Sequence, residues 1–157
     1  MNPLKSFPFN VRVYGIYIQN RHVLVSDERI FGQDITKFPG GGLHFGEGPA
    51  DCILREMFEE TGHRFEVLRH FYTTDFFQPS AFQEGHQVIS IYYLLTTGEP
   101  LQFRISDKEF DYARKDGSQS FRWISENALD EEAFTLPIDR VVAGLLKSWF
   151  QQAVLKT

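Results

Sequence analysis

The chain has 157 residues, 42% of them hydrophobic and 24% charged, with a formal net charge of −5. That length and composition suit one domain with a single core, residues 1–157, and the acidic balance with no Lys/Arg run argues against a nucleic-acid surface. The lone cysteine, Cys52, excludes an internal disulfide and suits a reducing cytoplasm. The opening MNPLKSFPFN has no apolar run of signal-peptide kind, and no stretch reaches the ~18–20 apolar residues of a membrane helix.

In chain order, residues 11–18 (VRVYGIYI) are β-branched and aromatic and predict a strand. Gln19-Asn20-Arg21 predicts a turn and His22 to Val25 a return strand. Residues 27–37 are polar and mixed and read as a loop. Three glycines, Gly40 to Gly42, mark backbone that bends sharply or approaches something closely. Pro49 to Thr61 predicts a helix: Pro49 suits its first turn, Ile53, Leu54, Met57 and Phe58 form an apolar stripe, and Gly62 stops it. Residues 64–77 read as one long strand or a bent pair, and 78–86 as a loop. Residues 87–97 (QVISIYYLLTT), apolar on both faces, predict a central strand. A short strand at 101–105, a charged irregular segment at 106–118, a strand at Ser120 to Ile124, a short helix capped by Ser125 and a closing helix from Pro137 to about Ala153 complete the order. A mixed sheet with helices on both faces, an α/β sandwich, is the expected fold class.

The chemistry-bearing pattern lies on the first helix. Glu56, Glu59 and Glu60 are spaced i, i+3, i+4 and share one face, where like charges repel by a few tenths of a kcal/mol per pair. Alone, such a trio is more often a solvated face. It is also an oxygen cage for a hard cation, because Mg²⁺ favours a few carboxylates with water and substrate phosphates. Arg55 can orient a carboxylate by a bidentate contact. Glu47, at the loop-to-helix junction, can accept backbone N–H groups, and a carbonyl of the Gly40 to Gly46 loop can join a metal shell.

Gly41, five residues, Glu47, seven residues, then Arg55-Glu56-Met57-Phe58-Glu59-Glu60-Thr61-Gly62 resembles the Nudix box. The approach Phe38-Pro39-Gly40-Gly41-Gly42 is similar to the family's as well. His63 departs from the pattern, which closes on an apolar residue: its ring can still pack under the helix end, and a partly exposed strand-start residue is expected in preference to a ligand role. The resemblance implies a Nudix-type α/β/α sandwich and Mg²⁺- or Mn²⁺-dependent hydrolysis of a pyrophosphate bond in a nucleoside diphosphate linked to another moiety. Nucleotide-sugar, ADP-ribose-like and nucleoside triphosphate substrates all stay open, as does a homodimer. It implies metal ligation by Glu59, Glu60 and the Gly40 carbonyl. Glu56 becomes ligand or general base, Arg55 orients the carboxylates and Glu47 braces the loop. Many members recruit a further acid from a later loop. The residues just before Trp123, Ser118 to Arg122, include none, which leaves Glu84, Glu109, Asp111 and Asp116 at neighbouring loops. For substrate binding, Phe77 and Phe82 could stack on a base, worth about 1–3 kcal/mol, and Arg12, Arg29 and Lys37 could meet phosphates. The alternative is a non-catalytic nucleotide-binding Nudix domain with a regulatory role.

Overall fold

Alternation along the first strand, β1 (Phe9–Gln19), sets the layers of the computed structural model, which describes residues 8–155 and side chains to Ala153. Tyr14 and Ile16 face one side and join Val23, Val25, Phe38, Tyr92, Leu94 and Phe134 under the closing helix α2 (Pro137–Leu155), which contributes Ile138, Val142, Ala143, Leu146 and Phe150. Val13 and Tyr17 face the other side, with Leu24, Leu95 and Phe121, under helix α1 (Pro49–Thr61), which contributes Cys52, Ile53 and Met57. Period-two alternation between two apolar helices gives a sheet buried on both faces, the α/β/α sandwich expected. Gly15 is needed here: a Cβ would stand 2.4 Å from Leu95 Cδ1 and 3.3 Å from Ile53 Cδ1, so α1 packs directly on backbone.

The strands run β5 (Glu66–Thr73), β6 (Gln87–Thr96), β1, β2 (His22–Ile30), β8 (Gln119–Ser125), β7 (Ile105–Ser106), with β3 (Gln33–Lys37) paired to β2 and β4 (Gly40–Gly42) to β1. β1 and β6 are parallel in register from Phe9↔Gln87 to Tyr17↔Leu95, and β6 is interior as its two apolar faces required. β4 lies antiparallel to β1, Val13↔Gly41, which brings the glycine triplet against the sheet just before α1. Gly48 precedes the helix without a side-chain cap, Pro49 opens it, and Gly62 closes it at φ 69° with its N–H donating to Phe58 O at 2.8 Å.

Several expectations are corrected. The segment 27–37 is a hairpin, not a loop: β2 runs on to Ile30, turns at Phe31 (φ 49°) and Gly32 (φ 75°), and returns as β3. Asp27, Thr36 and Lys37 of this segment are buried and paired, with Arg122 Nε on Asp27 Oδ2 at 2.7 Å and Thr36 Oγ1 on Asp27 Oδ1 at 2.7 Å, so polarity concealed the strand. The strand at 64–77 ends at Thr73 and is bent by two register shifts. The strand at 101–105 shrinks to Ile105–Ser106. The short helix is a 3₁₀ turn, Glu131–Ala133, capped by Asp130 rather than Ser125. Phe58 leaves the apolar stripe and lies exposed under the Arg64 guanidinium, 4.7 Å from its ring centre. His63 is buried: its ring packs edge-on to Phe65 at 4.8 Å and its Nε2 lies 2.8 Å from Thr97 Oγ1. The imidazole fills the apolar position through its ring and satisfies a nitrogen with a hydroxyl. Among the described residues no helix is long and apolar enough to cross a membrane.

Candidate active site

Arg55 organises the exposed face of α1. Its Nη2 and Nε donate to the two oxygens of Glu47 at 2.7 and 2.9 Å, and Nη2 also reaches Gly42 O at 3.1 Å. Nη1 donates to Glu56 Oε1 and Glu59 Oε2, both at 3.1 Å. One planar fork thus fixes three carboxylates and the glycine strand together. Glu47 accepts the His44 N–H at 2.8 Å as well, bracing the loop, and Arg55 with that amide holds its carboxyl down at about 2. Cys52 is a buried core residue whose thiol is pushed up to about 12, chiefly by burial, and so is inert.

Glu60 is in a different setting from Glu59. Glu59 lies at the exposed end of the face, whereas Glu60 Oε2 is buried with no hydrogen-bond partner. Burial drives the Glu60 carboxyl up to about 7; Glu28 and Glu56 push the same way, while Lys37 and Gln119 oppose them. An orphaned buried oxygen among other carboxylates lacks a cation or a proton. The neighbour missed in the sequence is Glu28. It lies on β2 in the same alternation as Leu24, which faces α1, and reading 27–37 as a hairpin would have placed it there. The four later acids do not join this group. Glu84 is exposed in the 78–86 loop, and Glu109 is exposed, 3.8 Å from Arg122. Asp111 accepts from Ser106 Oγ and pairs with Arg104, and Asp116 accepts the Gly32 N–H at 2.9 Å. In place of an acid before Trp123 stands Gln119, whose amide donates to Ser26 Oγ at 2.9 Å.

The Gly40 carbonyl, expected as a metal ligand, accepts from Lys37 Nζ at 3.3 Å. Among the described residues no three acidic, His or Cys side chains converge on one point; Arg55 holds Glu56 and Glu59, and Lys37 holds Glu28. Glycine at 41 matters locally, since the Glu56 carboxylate occupies the space a Cβ would need.

Lys37 and Arg12 also border a cavity of about 270 Å³ on the α2 side of the sheet, walled by Tyr14, Tyr92, Ile138 and Asp139 and rimmed by Phe31 and Phe82. The two rim rings lie 5.8 Å apart and are exposed, Phe31 more so than Phe82. Arg12 Nε donates to Tyr14 Oη at 2.7 Å. Although burial opposes its charge, Tyr14, Glu28 and Glu56 hold its pKa above the ordinary value, and its Nη1 would stand 3.8 Å from a Cβ on Gly42, so this cavity residue reaches the glycine strand. Asp139 accepts from Tyr92 Oη at 2.5 Å through Oδ1, while Oδ2 is buried and unpartnered. Burial raises its carboxyl to about 6, against the Tyr92 hydrogen bond. Sequence gave no sign of this role, because an acid in the first turn of a helix is commonplace. Phe77, expected beside Phe82, is exposed and borders no part of the cavity. Arg29 does not reach it either: its Nη1 pairs with Asp34 at 2.9 Å.

A family model described as the NUDIX domain matches residues 8–144. The RNA pyrophosphohydrolase of Pectobacterium atrosepticum is 44% identical over 55 residues, 35% of this chain and 31% of that protein, so the match spans about a third of the relative. Among solved structures, the Escherichia coli ORF135 protein superposes with a TM-score of 0.63 at 18% identity, covering 92% of this chain and 94% of that one. The MutT protein of methicillin-resistant Staphylococcus aureus 252 gives 0.61 at 19% identity, covering 91% and 98%. These last two similarities are ones of fold.

Proposed function

This chain belongs to the NUDIX domain family, and from that premise we propose that it hydrolyses a pyrophosphate bond in a small nucleoside di- or triphosphate derivative, using a divalent cation held by Glu56, Glu59 and Glu60. The observation that carries the reading is the Glu60 oxygen, buried without a partner on the helix face that Arg55 organises. Its need for a cation, and the all-oxygen donors around it, fit Mg²⁺ or Mn²⁺. Glu59 must exchange its Arg55 hydrogen bond for the ion, an easy change for the exposed end of the face. A bound ion would polarise phosphoryl oxygens and acidify an attacking water.

The residues of this chain supply the rest. Arg55 and Glu47 keep the carboxylates and the glycine strand in register. Glu56 serves as a ligand or takes the proton of the attacking water. The cavity receives the nucleoside, with Phe82 and Phe31 at its mouth and Asp139 Oδ2 as a buried acceptor for a donor group of the base. Arg12, between the cavity and the carboxylates, meets the phosphates. The small volume of the cavity and a net charge of −5 favour a free nucleotide over a polynucleotide. The buried reduced cysteine is consistent with the cytoplasm. The non-catalytic reading has less support, because a binder has no need of a carboxylate array held by one arginine.

The test is a phosphate-release screen with Mg²⁺ and Mn²⁺ over nucleoside triphosphates, nucleotide sugars, ADP-ribose and 5′-triphosphorylated RNA. Turnover of a free nucleotide is the expected result. Tight binding without turnover of any of them favours the regulatory reading, and turnover of RNA alone moves the substrate to polynucleotides.

A further inference from the structure

The Lys37 side chain is only 3% exposed, yet it ends among acidic groups at the heart of the site. Its ammonium has three hydrogens. The three acceptors around it are Glu28 Oε2 at 2.8 Å, Phe38 O at 3.2 Å and Gly40 O at 3.3 Å, and the Tyr14 ring centre lies 5.1 Å away. Burial opposes the charge, but Glu28, Tyr14 and Glu60 outweigh it and hold the pKa above the ordinary lysine value. Every donor is therefore in use, and the group is a fixed cation.

A cation so placed has a consequence for metal binding. Gly40 O and Glu28 Oε2 are both oxygens that a hard cation would seek, and the ammonium donates to both. A divalent ion approaching Gly40 O would also face a full positive charge a few ångströms away in a poorly screened setting, where repulsion is strong. We propose that Lys37 is a tethered internal cation: it withholds Gly40 O and Glu28 from the metal, so that the nucleotide-free protein binds divalent ions weakly through Glu56, Glu59 and Glu60, and the phosphates of the substrate complete the shell. The same contact holds the glycine strand in place without metal, so the loop is preformed. This inference rests on the metal-dependent reading of the carboxylate face given above.

The experiment is a Mn²⁺ titration of substrate-free protein, counting free ion by electron paramagnetic resonance, with the fold of each protein checked by circular dichroism. Lys37→Met is expected to bind Mn²⁺ at least about ten-fold more tightly than the natural chain, or to hold one more ion, because an oxygen pair is released and a repelling charge removed. Since that variant leaves Glu28 buried without its partner and can destabilise the chain, the double variant Lys37→Met/Glu28→Gln is measured beside it. It removes both charges and should still tighten binding, by a smaller factor, through the freed Gly40 carbonyl. If the natural chain binds Mn²⁺ and neither folded variant tightens or adds to it, the role of Lys37 is overturned while the metal site stands. If no protein in the series binds Mn²⁺, the metal reading itself falls and takes the inference with it.

Discussion

The carboxylate of Glu56 lies directly over the α-carbon of Gly41: a Cβ there would stand 2.5 Å from Glu56 Cδ and Oε1 and 2.6 Å from Oε2. Gly41 does not have a positive φ, so the backbone would accept alanine and the contact alone would object. Gly41→Ala is expected to displace Glu56, lowering kcat at least about ten-fold while the fold persists. Unchanged kcat would show that the position of Glu56 is unimportant.

Arg55→Lys should be nearly as damaging despite keeping the charge. The guanidinium serves both oxygens of Glu47, one each of Glu56 and Glu59, and Gly42 O, and an ammonium cannot span that set. A fall in kcat of about 10- to 100-fold is expected from steady-state kinetics. Retention of full activity by the lysine variant would mean that charge, rather than the fork, is what the site uses.

Glu59→Gln and Glu60→Gln are both expected to abolish metal-dependent turnover, yet to differ in their effect on the metal-free fold. Glu59 is exposed, so its amide should leave the thermal midpoint almost unchanged. Glu60 is a buried carboxyl held up at about 7, and its neutral replacement should raise the midpoint. Activity retained in either variant removes that residue from the metal set, and a lowered midpoint in Glu60→Gln contradicts the buried, uncompensated carboxylate.

Asp139 gives a pH signature. Its carboxyl is raised from 3.8 to about 6 by burial, so the folded state binds the proton more tightly than the unfolded one. Its contribution is therefore fully present below pH 3.8 and is lost as pH rises through about 6. Asp139→Asn, which keeps an oxygen for Tyr92, removes that loss. Relative to the natural chain it should gain up to about 3 kcal/mol between pH 4 and 7. Thermal midpoints of the two proteins that run parallel over this range would refute the shift.

The aromatic rim separates two residues that look alike in the sequence. Phe82→Ala is expected to raise KM for the nucleotide about ten-fold, the loss of one stacking partner. Phe77→Ala should leave KM unchanged because that ring borders no part of the cavity. Equal effects of the two would place the nucleoside elsewhere.

The local part of the protein follows from residue order alone. Helical spacing puts Arg55, Glu56, Glu59 and Glu60 together whatever surrounds them, Gly62 ends that helix, and the alternation and apolar faces of β1 and β6 demand a sheet between two helices. The tertiary structure alone decided what each carboxylate experiences. Glu59 and Glu60 are neighbours in the chain, but packing of α1 leaves one in water and buries an oxygen of the other. Segment 27–37 read as loop because its polar residues carry no apolar period; pairing of Ser26 with Lys37 across β2 and β3 set Lys37 near Glu28 and converted that polarity into buried ion pairs. Asp139 became a cavity wall only when α2 closed on Tyr92. Spacing along a helix is covalent geometry and travels with the sequence. Burial and charge pairing depend on which distant strands meet, and only the folded chain brings them together.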